Sequence, residues 1–189
     1  MTRFLHVLMF AILLSYTAWA DIFKEAAMCV TVAENTQHGP FRICASSYLA
    51  PQGKNLYGPD MAMDYNEKTA WVEGVQGSGE GQWLALGFDG ERHFQSLFIV
   101  NGYIKSKKAF RDNGRVQILR VQAADGLDIR IELKDHMKEQ EIRFPRKVVS
   151  PWLRLGIVST YPGGRWSDAA ITDFWIDLDE YNYQGIDGE

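Results

Sequence analysis

The sequence predicts an all-β protein, an antiparallel β-sandwich of the jelly-roll type. Apolar residues alternate with charged ones over 127–134, as expected for a strand with one buried and one wet face. Turn signals such as Asn101-Gly102, Asn113-Gly114 and Asp125-Gly126 separate the strand-like runs. Many short strands joined by such turns are typical of a sandwich or jelly roll.

The same patterns place the individual elements. Strand-like segments cover 64–71, 79–88, 96–106, 113–116, 127–134, 142–144, 153–157 and 161–175. One short helix is predicted over 22–32, and a turn over 135–140. Four tryptophans fall within the strand patterns and are predicted to lie in the core: Trp71, Trp83, Trp152 and Trp175.

The first twenty residues have the character of a signal peptide. Arg3 precedes an apolar run over 4–16, and Ala18-Trp19-Ala20 fits the small-x-small cleavage pattern. A membrane-spanning helix needs about 20 apolar residues, more than this run contains. We therefore expect cleavage after residue 20 and export to a periplasm or the medium.

Composition limits the partners. The chain has 189 residues, with 20 Lys and Arg against 24 Asp and Glu, and a net charge of −4. A mildly acidic chain without a basic run is poorly suited to bind nucleic acid or an anionic membrane. The predicted organisation is a signal peptide (1–20), an N-terminal segment (21–44), one β-sandwich domain (45–178) and an acidic tail (179–189).

The two cysteines, Cys29 and Cys44, both follow the predicted cleavage site. In an exported chain two cysteines most simply form a disulfide. The alternatives are two free thiols or a metal site, although zinc would need further Cys or His ligands at suitable spacing.

Several motifs together resemble a known family. They are GVQGSGEGQW over 74–83, NGYIKS over 101–106, Asn113-x-Arg115, and the run that contains Tyr161, Gly163, Asp168 and Ile171. Their order resembles that of the jelly-roll domain attached to the streptococcal NAD glycohydrolase toxin. The wider relatives are discoidin-like, galactose-binding β-sandwiches, whose Asp-x-x-x-x-Thr-x-Trp pattern matches Asp64, Thr69 and Trp71.

The resemblance covers residues 45–178 and implies a glycan-binding module. The toxin's NAD-cleaving chemistry resides in a separate catalytic domain, and the matching motifs do not include it. A binding role is therefore what the resemblance implies for this chain.

A candidate sugar site follows from the residues in the loops. Sugar rings stack on aromatic side chains while neighbouring polar groups bond their hydroxyls. The candidate ligand-binding residues are Asn101, Tyr103, Arg115, Tyr161, Arg165, Trp166 and Asp168. The alternative is structural: the Asn-Gly pairs as simple turns, and Arg115 with Asp168 as a buried ion pair.

The segment 64–69 suggests a calcium site. Calcium takes oxygen ligands, and many discoidin-like modules hold a structural calcium with this Asp and Thr plus a late acidic residue. The corresponding positions here are Asp64, Thr69 and Asp173, although Tyr65 stands where relatives usually have Gly. The alternative is a turn that Asp64 and Thr69 close without an ion.

A catalytic site is not evident. The histidines after the leader, His38, His93 and His136, lie in polar loop-like settings without a hydrolase motif. Acidic residues are plentiful, but no pair is singled out as in a glycosidase. The sequence therefore favours a non-enzymatic carbohydrate-binding module, with a protein-interaction module as the alternative and a small hydrolase as the third hypothesis.

Overall fold

Two long strands organise the molecule, for which a computed structural model describes residues 22–32 and 41–178. The strands are β1 (Met28–Val32), β2 (Phe41–Ala45), β3 (Trp71–Val72), β4 (Trp83–Asn101), β5 (Gly114–Ala123), β6 (Asp128–Glu132), β7 (Gln140–Tyr161) and β8 (Ala169–Leu178). A 3₁₀ turn covers Pro59–Ala62, and the α-helix α1 covers Lys107–Asp112. The prediction of an all-β fold is confirmed.

The sandwich forms because β4 and β7 each belong to both layers. The first part of β4 pairs with β2 and β7, and its last part pairs with β7 and β8. The β4–β7 register shifts between Gly87 and Arg92 and again between Phe94 and Ser96. Such irregularities bend a strand from one layer into the other, so the two inner faces enclose one core.

Alternation fills that core as the sequence predicts. Leu84, Leu86, Leu97 and Ile99 of β4 are fully buried and face inward. Trp71 and Trp83 are buried, as predicted. Trp152 and Trp175 are only half-buried, which corrects their assignment to the core. They belong to outward positions of β7 and β8, because the buried Leu153 and Phe174 beside them point inward.

The N-terminal segment extends the sheet. β1 pairs with β2 so that Cys29 lies opposite Cys44, and the two cysteines form a disulfide, as predicted. The helix predicted over 22–32 is wrong for Met28–Val32, because pairing with β2 overrides any local helical tendency. The sheet therefore begins before residue 45, while the predicted leader and acidic tail lie outside the described residues.

The helix α1 was not predicted. The sequence pattern predicts a strand that reaches Ser106, but this residue instead caps the start of the helix, since its hydroxyl accepts a hydrogen bond from the Ala109 N–H at 3.0 Å. No helix in the described ranges has the length and apolar character needed to cross a membrane.

One end of the sandwich brings four strand ends together. Asn101 at the end of β4 pairs with Ile171, and Arg115 at the start of β5 pairs with Tyr161 at the end of β7. Gly114 pairs with Ala169 at the start of β8. This end carries all of the predicted ligand-binding residues.

Candidate functional site

The connection between β7 and β8, residues 162–168, is here called the Trp166 loop. Its backbone is fixed to the end of α1: the Gly164 N–H donates to the Arg111 carbonyl at 2.8 Å, and the Trp166 N–H donates to the Asp112 carbonyl at 2.7 Å. The Gly114 N–H donates in turn to the Asp168 carbonyl at 2.9 Å. The loop is thus held in one conformation by main-chain hydrogen bonds, without use of its side chains.

Glycine makes this close approach possible. A Cβ atom on Gly163 would lie 2.1 Å from the Trp166 carbonyl oxygen and 2.6 Å from that of Asp112. A Cβ on Gly114 would lie 2.5 Å from the Ser167 carbonyl oxygen. Real Cβ atoms do not approach backbone this closely, so any larger residue would push the loop away from α1.

Trp166 is the main exposed feature of the loop. Its side chain is 49% exposed, whereas most large apolar residues of the described chain are buried. The Arg165 guanidinium lies 4.7 Å from the centre of its ring, a cation–π contact. Trp166 thus provides an aromatic face for stacking, and Arg165 provides several N–H donors beside it. A sugar site needs both, because the ring of the sugar stacks and its polar substituents form hydrogen bonds.

Asn101 and Tyr103, in contrast, are buried. Asn101 is fully buried; its amide N–H donates to the Val116 carbonyl at 2.7 Å and its oxygen accepts from the Val116 N–H at 3.0 Å. Tyr103 is 7% exposed, and its hydroxyl donates to the Lys68 carbonyl at 3.1 Å. Both side chains therefore connect neighbouring segments, and their ligand-binding role stays a prediction.

Arg115 connects the loops through its guanidinium group. It forms a two-pronged ion pair with Asp135, at 3.0 and 2.8 Å, and donates to the carbonyls of Asn113 and Pro162. The alternative of an ion pair with Asp168 is therefore wrong, because the Asp135 carboxylate occupies that position. The hydroxyl of the half-buried Tyr161 donates to the Leu133 carbonyl at 2.9 Å.

Glu73 is a structural residue of this end that the sequence did not reveal. It is fully buried, and its carboxylate accepts from the Val75 N–H at 2.8 Å and the Ala169 N–H at 3.3 Å. Burial raises the pKa of Glu73; the two N–H donors oppose this, and the charge of Asp168 adds to it. Burial also raises the pKa of the half-buried Asp168. A single buried glutamate has no sequence pattern by which it could be recognised.

The Asp64 turn closes on itself. The Thr69 hydroxyl lies 2.9 and 2.7 Å from the two carboxylate oxygens of Asp64, and the Asn66 N–H donates to the same carboxylate at 3.0 Å. Between them, Tyr65 has a φ of +54°, in the region that favours glycine. Its ring is 65% exposed.

Beside this turn is a cavity of about 480 Å³, here called the Asp173 pocket; its lining includes Tyr65, Glu67, Glu139, Asp173 and Trp175. Asp173 is 7% exposed, and its Oδ1 atom has no hydrogen-bond partner. Burial raises the pKa of Asp173 to about 7; the Phe174 and Tyr65 N–H groups oppose this, and the Asp64 and Glu139 charges add to it.

These donors match a calcium ion in chemistry but not in number. The carboxylates of Asp64 and Asp173 and the hydroxyl of Thr69 are hard oxygen ligands, and the unpartnered Asp173 Oδ1 would gain one bond. Calcium takes about 6–8 oxygens, so backbone carbonyls would have to supply the rest. Across the described ranges, no group of three or more His, Cys, Asp or Glu side chains is arranged to hold a metal. Calcium at Asp64, Thr69 and Asp173 stays a prediction.

Comparison with known proteins agrees with this architecture. The model of the NAD glycohydrolase translocation F5/8 type C domain matches residues 35–177. A search of curated protein sequences gives no significant match.

Several solved carbohydrate-binding modules have a similar structure. The family 32 module of NanJ from C. perfringens, solved with galactose, has a TM-score of 0.55 at 16% identity, over 72% of this chain and 92% of that one. A second family 32 module from Clostridium perfringens, solved with GalNAc-β-1,3-galactose, has a TM-score of 0.55 at 14% identity, over 72% and 94% of the two chains. A pectin-binding module has a TM-score of 0.51 at 16% identity, over 79% and 92%. At these identities the similarity shows a shared fold, the discoidin-like β-sandwich.

Proposed function

Because this chain belongs to the family of NAD glycohydrolase translocation F5/8 type C domains, we propose that it is an exported, non-enzymatic carbohydrate-binding module. The ligand contact is the Trp166 loop at the end of the sandwich. The site binds and does not react, since its exposed groups are a tryptophan and an arginine rather than an acid–base pair.

The observation that carries this proposal is an exposed tryptophan on a rigid loop. A large aromatic ring is less stable in contact with water than it is when packed in a hydrophobic core, so its exposure calls for an explanation. Here the backbone of the loop is held by its hydrogen bonds to Arg111 and Asp112, while the ring stays 49% exposed. A rigid stacking face loses little entropy when a sugar binds, which favours affinity.

Two of the seven predicted ligand residues reach solvent in the manner that contact requires, namely Arg165 and Trp166. Arg115 supports the loop through its hydrogen bond to the Pro162 carbonyl, and Asn101 joins β4 to β5 through its bonds to Val116. This division explains how one set of loop residues both shapes the site and contacts the ligand. Binding is weak for each site, because a shallow sugar contact leaves little net free energy after desolvation.

A glycan-array screen of residues 21–189 tests the proposal. We expect a defined group of sugar hits that disappears in Trp166→Ala and persists in Tyr65→Ala, a control that removes another exposed aromatic ring. Circular dichroism should show both variants folded. A blank array with the wild-type protein would contradict the proposal and favour the protein-interaction alternative, which a pull-down from the native envelope would then examine.

Export and catalysis each have a direct test. N-terminal sequencing of the protein recovered from the periplasm or medium should begin at Asp21; recovery of residues 1–20 on the mature chain would contradict export. Hydrolysis of NAD and of the bound glycans should stay at the background rate. Turnover that depends on the protein would replace the binding module with the hydrolase hypothesis.

A further inference from the structure

The surface around the Trp166 loop differs in charge from the chain as a whole. The helix α1 carries Lys107, Lys108 and Arg111, and it ends at Asp112. Lys108 forms an ion pair with Asp112, its neighbour one turn along. Lys107 and Arg111 are exposed and form no ion pair with any residue in the described ranges.

The two unpaired cations are close to the loop. Lys107 and Arg111 are four residues apart and therefore share one face of α1. The Arg111 carbonyl accepts the hydrogen bond from the Gly164 N–H, so this residue is directly beside the Trp166 loop. Arg165 is a third exposed cation without an ion pair in the described part of the chain, and its guanidinium is held over the Trp166 ring.

The nearby carboxylates do not neutralise these cations at the surface. Asp112 is engaged by Lys108, and Asp135 is engaged by Arg115. Glu73 is buried, with backbone N–H donors at its carboxylate. Asp168 is the remaining acid of the loop and is half-buried. The solvent-facing charge is thus positive, although the whole chain has a net charge of −4.

We propose that the Trp166 loop selects acidic carbohydrate, that is, a sugar that carries a carboxylate or a sulfate. The sugar ring stacks on the face of Trp166 that Arg165 leaves free, and an anionic group that extends past the edge of the indole accepts hydrogen bonds from Arg165, whose planar fork suits such groups. Lys107 and Arg111 add longer-range attraction. The cation–π contact holds the guanidinium in place before the ligand arrives, so its ordering costs less. This inference rests on the proposed carbohydrate binding and adds the class of sugar.

Matched pairs of ligands test the charge directly. Calorimetry would compare oligogalacturonic acid with its methyl ester, and sulfated with unsulfated lactose, so that each pair differs in charge on one sugar skeleton. In at least one pair we expect the acidic member to bind at least about tenfold more tightly, a difference of about 1.4 kcal/mol. Its affinity should fall as salt is added, because the cations are exposed.

Three variants separate charge from hydrogen-bond geometry. Arg165→Gln should remove most of the preference for the acidic member, and Arg165→Lys should keep only part of it, because lysine retains the charge without the fork. Arg130→Gln removes an exposed arginine from β6 and should change nothing. Both positions, 165 and 130, are exposed, so we expect the three variants to fold, and thermal melting checks this.

The outcomes distinguish this inference from the proposed function. Equal binding of both members of each pair, lost in Trp166→Ala, would overturn the acid preference and leave carbohydrate binding intact. Binding of neutral sugars alone would also overturn it. No binding of any sugar, here and on the array, would overturn both. A preference for the acid that survives in Arg165→Gln and in Lys107→Gln/Arg111→Gln would assign the selectivity to another surface.

Discussion

The Trp166 loop leads into β8, and the Asp173 pocket is lined by Thr172, Asp173 and Trp175 of the same strand, yet the two regions present opposite chemistry. The loop exposes Trp166 and Arg165 on a backbone that is hydrogen-bonded to the end of α1, and α1 adds the exposed cations Lys107 and Arg111 beside it. The pocket is lined by Trp175, which stacks on Phe98 behind it at 5.5 Å, and by the Asp173 carboxylate, whose Oδ1 atom has no hydrogen-bond partner. The first arrangement suits a large polar ligand at the surface, and the second suits a small cation.

The two regions also differ in where their order originates. Main-chain hydrogen bonds to α1 fix the Trp166 loop, so its side chains are free for contact. At the Asp64 turn, the side chains of Asp64 and Thr69 form hydrogen bonds with each other that close the turn. Exposure alone therefore does not identify a binding residue. An exposed aromatic ring is better evidence of a binding site when the conformation of its loop does not depend on the loop's own side chains.

The matched pair Arg115→Met and Arg165→Met tests the division between support and contact. Arg115→Met should lower the free energy of unfolding by about 3 kcal/mol, because Asp135 and two carbonyls lose their partner. Arg165→Met should leave unfolding by urea unchanged and weaken glycan binding. Equal stability of the two variants would show that Arg115 is not a supporting residue.

The close contact at Gly163 tests whether the position of the loop matters. Gly163→Ala should cost about 1–3 kcal/mol of stability, because its Cβ would overlap backbone atoms of Trp166 and Asp112. It should also weaken glycan binding by displacing Trp166. Gly156→Ala is the control, since its Cβ would meet only an ordinary contact at 3.9 Å. Similar losses of stability in both variants, measured by urea unfolding, would show that the close backbone contact at Gly163 does not fix the position of the loop.

The buried Glu73 predicts a pH dependence of stability. Because burial raises the pKa of Glu73 above its ordinary value of 4.5, the folded state holds this proton more tightly than the unfolded state. The contribution of the protonated Glu73 to the free energy of unfolding is fully present below pH 4.5, and it is lost as the pH rises through the raised pKa. The Glu73→Gln variant cannot ionise at this position and therefore does not lose this contribution. As the pH rises over this range, its free energy of unfolding should increase relative to that of the wild type by about 1.4 kcal/mol for each unit of pKa shift. Glu91→Gln, at an exposed position, should follow the wild type; parallel curves for all three proteins would refute the role of Glu73.

Calcium should have the smallest effect. An ion at Asp64, Thr69 and Asp173 would bind the unpartnered Oδ1 atom of Asp173 and raise the melting temperature by about 2–4 °C, equivalent to roughly 1 kcal/mol. The measurement compares melting in calcium with melting in chelator, and Asp173→Asn should abolish the difference. An unchanged melting temperature in the wild type would exclude a stabilising calcium ion there.

Much of the fold was predictable because strand alternation is a local property of the sequence. The alternation of apolar and polar residues in β6 and β7 and the turn at Asp125-Gly126 predicted where these strands lie. The disulfide between Cys29 and Cys44 was predictable because two cysteines in an exported chain most simply pair. The helix over 22–32 failed because β1 exists only through its pairing with β2. The helix α1 is six residues long, too short for helical periodicity to show.

The site was less predictable because burial depends on tertiary contacts. Residue type made Trp166 and Arg165, and also Asn101 and Arg115, candidates for contact with a sugar. Only the structure separates them, since the bonds of Asn101 to Val116 and of Arg115 to Asp135 join residues distant in sequence. The Asp173 pocket likewise arises from the approach of the Asp64 turn to β8.

The most direct test of carbohydrate binding at the Trp166 loop is an NMR titration of the ¹⁵N-labelled protein with a sugar identified on the array. The account predicts that the Trp166 indole N–H and the backbone amides of residues 163–168 shift progressively, while the Trp175 indole and the amides around Asp173 stay in place. Shifts centred on the Asp173 pocket, with Trp166 unchanged, would contradict the assignment of the sugar site to the Trp166 loop.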